Sequence, residues 1–238
     1  MSGFLYSVAL QWKLDIRSKS LLVACYIVPL VFFLLMGGIF TSVMPEMKKT
    51  LIPSMIIMGV SMGAFIGFPP ALVEIYGSDI KKVYKVNGVS LYLGLAAMFL
   101  SAFLHLMILC IVILLLAPVL FEASLPANFP FFFLALAICI IVSLSIGSAL
   151  GLVVKNQAKL TMVAQLVFLP SIMLSGIMFP IDLLPKALES VGKIFPAFWG
   201  YKLMTGQSFQ PGWLAPLVGS FLIAIGICGY ALSRKTKE

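Results

Sequence analysis

Six long apolar runs, at about residues 20–41, 51–72, 89–117, 130–154, 160–180 and 213–233, alternate with short polar breaks. Each run is close to the roughly 20 residues that a helix needs to cross about 30 Å of hydrocarbon. The runs are bounded by Gly, Pro and Lys and lack the period-two alternation of a barrel strand, so they predict spanning helices. The expected fold class is an all-α integral membrane protein with six transmembrane helices in one domain over residues 1–238.

Three polar elements punctuate this pattern. In residues 4–19, Leu5, Val8, Ala9, Trp12 and Ile16 share an arc at 100° per residue, with Lys13 and Arg17 flanking it. Ser7, Gln11, Asp15 and Ser18 occupy the other side. This predicts an amphipathic interfacial helix on the inner leaflet. In EIYGSDIKKVYKVNG, residues 74–88, Pro69 and Pro70 are expected to end the preceding helix. Ser78 suits an N-cap, Asp79 the first turn, and Lys81, Lys82 and Lys85 the C-terminal end of a short polar helix. Between the last two runs, Leu184, Leu188, Val191 and Phe195 recur at helical spacing, opposite Lys186, Glu189, Ser190 and Lys193. Pro180, Pro185 and Pro196 bracket this piece, which predicts a short amphipathic helix at the outer surface.

Composition agrees with the membrane reading: 62% of the 238 residues are hydrophobic and 10% charged, with mean hydropathy +1.14. Soluble domains average about 45–50% and about 25%. Of the sixteen Lys and Arg, eleven fall on one side of the predicted spans, and only Lys48, Lys49, Lys186, Lys193 and Lys202 on the other. The positive-inside rule then places both ends on the cytoplasmic side of a multi-pass protein. The net charge of +8 suits anionic lipid headgroups and not nucleic acid, for which a basic folded surface would be needed. The first run, about 22 residues long, exceeds the h-region of a cleavable signal, about 7–15 residues. Cys25, Cys110, Cys139 and Cys228 all lie in apolar runs without C-x-x-C spacing, which predicts neither a zinc site nor a disulfide framework.

Candidate chemistry is sparse. No G-x-x-x-x-G-K-[ST] phosphate loop and no H-E-x-x-H occurs. The acidic residues lie at or beyond the ends of the runs, which deprives an ion-coupled carrier of its usual intramembrane group. His105, in the third run, is the one Asp, Glu, Lys, Arg or His inside a run. With Ser61 of GVSMG it could form an intramembrane serine hydrolase. The competing reading makes His105 a structural hydrogen-bonding group and Ser61 part of a packing ridge, because Gly59, Gly63 and Gly67 repeat every four residues.

The order of elements resembles the permease subunits of type-2 ATP-binding-cassette exporters. Gly176, Phe179, Pro180, Leu184, Pro185 and Pro196 are similar to that family's small residue, Phe-Pro, Leu-Pro and further Pro. Glu74, Gly77 and Ser78 with Lys81 and Lys82 are similar to its acidic, glycine and hydroxyl pattern, although Asn87-Gly88 stands where a proline is usual. The resemblance implies two permease chains, identical or different, and two copies of a separate ATPase that binds ATP and Mg. No cofactor is expected in this chain. Residues 74–88 would be the coupling helix, with Glu74, Tyr76, Gly77, Ser78, Asp79, Lys81 and Lys82 contacting the ATPase. Residues 181–210 would form external re-entrant helices, with Gly176, Phe179, Pro180, Leu184, Pro185, Leu188, Val191 and Pro196 as an external gate and His105 as a pathway residue. The compact, separate-subunit layout points to the plasma membrane of a bacterium. The implied function is export of an amphiphilic or hydrophobic substrate such as a drug, peptide, lipid or polysaccharide. A hydrolase and a non-transporting sensor or immunity subunit are the alternatives.

Overall fold

A computed structural model describes residues 3–77, 90–179, 181–206 and 210–237, which form helices and, among these described residues, no strand. In chain order the helices are α1 (Gly3–Arg17), α2 (Lys19–Val43), α3 (Leu51–Gly77), α4 (Leu91–Phe121), α5 (Phe129–Val153), α6 (Gln157–Met173), α7 (Lys186–Gly192), α8 (Pro196–Thr205) and α9 (Pro211–Lys237). Five of them, α2 to α5 and α9, are long and apolar enough to cross a membrane. With 17 residues, α6 is a shorter apolar helix that reaches about 26 Å at 1.5 Å per residue, at the lower limit for a crossing, so five of the six expected spans are clear.

Local chemistry sets the ends. The Asn128 side chain accepts from Phe131 N at 3.1 Å to start α5, and Asn156 accepts from Ala158 N and Lys159 N to start α6. α4 ends on Glu122 in the left-handed region, φ 53°, where Lys48 pairs with its carboxylate at 2.8 Å.

α3 is the hub. In its most apolar window 94% of residues are buried, against 17% for α9, so its surroundings are protein on every side. Small residues allow the close approach: the Leu106 side chain of α4 fills the space at Gly63, Leu109 lies against Gly59, and the Cys25 Sγ of α2 lies at Gly67. Gly147 of α5 sits directly on the Ala64 carbonyl, and Gly151 on Leu72 and the Pro69 carbonyl.

The proline expectation needs correcting. Pro69 and Pro70 do not end the helix; α3 runs on to Gly77. A π turn over Gly63–Gly67 precedes them, with Phe68 N donating to Gly63 O at 2.8 Å. This shift in the ladder accommodates the missing proline donors and restarts the helix with proline in its first turn. A second π turn, Val23–Ile27, interrupts α2 where it meets the first.

α1 also departs from expectation. Its bundle-facing side straddles the two faces: Asp15 is 7% and Val8 8% exposed and Trp12 stacks on a buried ring, whereas Leu5 and Ile16 of the apolar arc are open to the surroundings. Ser7, Gln11 and Leu14 line a cleft with Leu93, Gly94 and Ala97 of α4. Lipid around the outward face explains why part of the arc turns away, because lipid accepts Leu5 and Ile16 while the bundle offers hydrogen bonds to Asp15.

Candidate functional site

Three places carry candidate chemistry. The first is the polar end of α3. Glu74 and Gly77 are exposed there. Tyr76 is not available to a partner: it is 2% exposed, its hydroxyl donates to Leu91 O at 2.8 Å, and Lys235 Nζ donates to its carbonyl at 2.9 Å. These bonds tie the ends of α3, α4 and α9 together, a structural duty that the motif concealed. Ser78, Asp79, Lys81 and Lys82 lie outside the described residues.

The second is the break between α6 and α9. Thr205 and Gly206 line a cleft with Lys49, Thr50, Asn128 and Phe131 at one end of the bundle. Gly200 lies against Cys139 and Ile57 deeper in, and Pro196 shares a groove with Ile146 and Ala149 deeper still. Ten residues of α8 rise about 15 Å, roughly half the hydrocarbon thickness. The segment is therefore more than a surface helix. Gly176, with φ 85°, makes the turn that leads into it, and Ile181 and Tyr201 crowd the position of any Cβ there. Pro180 lies outside the described residues.

α7 is shorter than its pattern suggested, and its apolar face is left partly open by the described residues: Leu188 is 42% and Val191 43% exposed, and within the helix Gly192 is buried, on the Leu174 carbonyl. Leu184 and Phe195 are half-buried, while Phe179 and Pro185 are exposed. Lys193 bonds Glu189 at 2.9 Å, and that hydrogen bond, with the nearby positive charges, holds the Glu189 carboxyl below the usual carboxylate range.

The third place surrounds His105, which is 2% exposed. Its Nδ1 lies 2.7 Å from the Tyr26 hydroxyl, its Nε2 lies 3.9 Å from Asp15 Oδ2, and its ring stacks on Trp12 at 4.0 Å and 9°. Ser101 donates to Asp15 Oδ2 at 2.5 Å and Gln11 to Oδ1 at 2.8 Å. Both His105 nitrogens thus turn toward α1 and α2, and the described contacts do not join it to Ser61, which is buried in α3 among the packing glycines. The catalytic pair drawn from GVSMG lacks its geometry. A substrate-path role for His105 also lacks room, because the cavity beside it holds about 10 Å³. Sequence reasoning assigned Asp15 to water and missed the cluster. The available signal was a pair of i,i+4 polar couples, Gln11/Asp15 on one helix and Ser101/His105 on another.

The sequence profile of the ABC-2 type transporter family matches residues 3–209. No curated protein matches the chain.

Proposed function

The chain belongs to the ABC-2 type transporter family, and from that premise we propose that it is the membrane-spanning permease of an ATP-driven exporter, powered by a separate ATPase. The family match over 3–209 carries this reading. A transport subunit needs a partner with a phosphate loop, since no such loop occurs in these 238 residues.

In the proposed assembly two ATPase copies, which bind ATP and Mg, sit below two permease chains in a plasma membrane, with both ends of this sequence on the ATPase side. Exposed Glu74 and Gly77 lie at the edge of the contact, which continues through Ser78, Asp79, Lys81 and Lys82. α8 is the re-entrant helix, and its depth beside Cys139 and Ile57 supports that role. α7, with Leu188 and Val191 uncovered, completes an external lid over the exit. An open apolar groove lined by Ile146, Val153, Ile194, Ile223 and Ile227 suits an amphiphilic or hydrophobic substrate.

The test is co-purification and turnover. The isolated chain should hydrolyse no ATP, and an ATPase encoded beside it should form a stable complex whose hydrolysis changes in the permease's presence. Hydrolysis by the isolated chain would sink the proposal.

A further inference from the structure

α1 is joined to the spans through buried polar atoms, and one of them is left over. His105 Nε2 is buried with no hydrogen-bond partner among the described residues, although Asp15 Oδ2 lies only 3.9 Å away. An unmet buried donor or acceptor loses its hydration without recompense, so its persistence calls for an explanation.

Asp15 favours one tautomer. With the Tyr26 hydroxyl donating to Nδ1 at 2.7 Å, the ring hydrogen sits on Nε2, aimed at the carboxylate 3.9 Å away. The adjoining cavity, about 10 Å³, is close to the smallest that admits one water. The described groups that face the imidazole and can titrate are Asp15 from α1 and Tyr26 and Cys25 from α2; the cavity-lining residues contributed by α3 and α4, His105 itself apart, are not ionisable. Both π turns meet beside this cluster, so the local backbone departs from regular helix where the polar groups gather.

We propose that Asp15 and His105 form a buried proton-binding site at the joint between α1 and the spans. One proton from water adds to His105 Nδ1. Tyr26 then turns from donor to acceptor, and the imidazolium Nε2–H pairs with the Asp15 carboxylate that Ser101 and Gln11 already hold. Charge balances within the site, since one cation faces one anion, and the gap between α1 and α4 closes. The inference is independent of the transport reading.

Trp12 supplies the probe, because a stacked imidazolium quenches indole emission more strongly than a neutral ring. In the Trp199→Phe/Trp213→Phe protein, reconstituted in bilayers, acidification should lower Trp12 emission in one sigmoidal, one-proton step. His105→Phe, which keeps a ring on Trp12, should lose the step. Asp15→Asn, which keeps the volume and removes the charge, should displace it. Emission independent of pH in the protein with the joint intact would overturn the proposal, as would a step that survives in His105→Phe or stays unmoved in Asp15→Asn.

Discussion

Replacing Gly147 by alanine should destabilise the bundle, whereas the same change at Gly226 should not. A Cβ on Gly147 runs into the Ala64 carbonyl oxygen and meets its carbon at 3.1 Å and Pro69 Cγ at 3.6 Å. The first two atoms are backbone of the hub helix and cannot swing aside, so α5 must move off α3. Overpacking of this kind costs about 1–3 kcal/mol. At Gly226 of α9 nothing lies within 4 Å of the added carbon. Both changes gain the same helix propensity, up to about 1 kcal/mol. That gain cancels in the comparison, and the two variants should differ by the clash alone, about 1–3 kcal/mol. For a chain of this size each kcal/mol moves Tm by about 2–4 °C. Thermal unfolding of both purified variants in one detergent measures the gap. Equal melting temperatures would refute the claim that α5 rests on the α3 backbone.

Glu122→Gly should melt higher than Glu122→Gln, since both lose the pair with Lys48 and only glycine relaxes φ 53°; paired melting curves decide it. The same carboxyl is held below the usual range by its hydrogen bond from Lys48. Its contribution is therefore complete above the ordinary carboxylate value and disappears as pH falls through the depressed one, an acid limb that Glu122→Gln should lack. Glu74→Ala with Asp79→Ala should leave membrane insertion intact but remove stimulation of the ATPase, and wild-type coupling in that variant would exclude the assigned contact. Cysteines replacing Lys186 and Glu189, in a background without the four native cysteines, should react with an impermeant thiol reagent outside cells; those replacing Leu188 and Val191 should be protected in the assembled complex and react in the isolated chain. Ser61→Ala should retain activity, whereas Gly63→Leu, which drives a side chain into Leu106, should lower the yield of folded protein.

The spans were legible because lipid imposes one strong demand, about 20 apolar residues, and the runs at 51–72 and 130–154 met it openly. Packing against protein was less legible. Asp15 and Gln11 of α1 looked solvent-facing because periodicity reports that two faces differ, not where their boundary meets the bundle. Tyr76 lay inside a motif that suggested an external partner, yet its hydroxyl is used on Leu91 O. Pro69 and Pro70 looked like a stop signal because the five-residue π turn just upstream leaves no mark in composition. The glycine spacing at 59, 63 and 67 did carry geometric information, since close contact with a neighbour requires small residues whichever helix the neighbour is.

The burial of α3 sets a schedule for biogenesis. A helix whose every face meets protein has nothing suited to lipid at Gly63, Gly67 and the Ala64 carbonyl, yet it emerges before the helix that covers that carbonyl. Gly147 follows Ala64 by 83 residues, which at about 5–20 residues per second leaves about 4–17 s of synthesis during which α3 lacks its cover. Nascent chains released after α4 should therefore be held by the insertion machinery or cleared by membrane proteases, and those released after α5 should persist. Pulse-chase of the two truncations measures the difference, and equal lifetimes would mean that α3 does not depend on α5 for shelter.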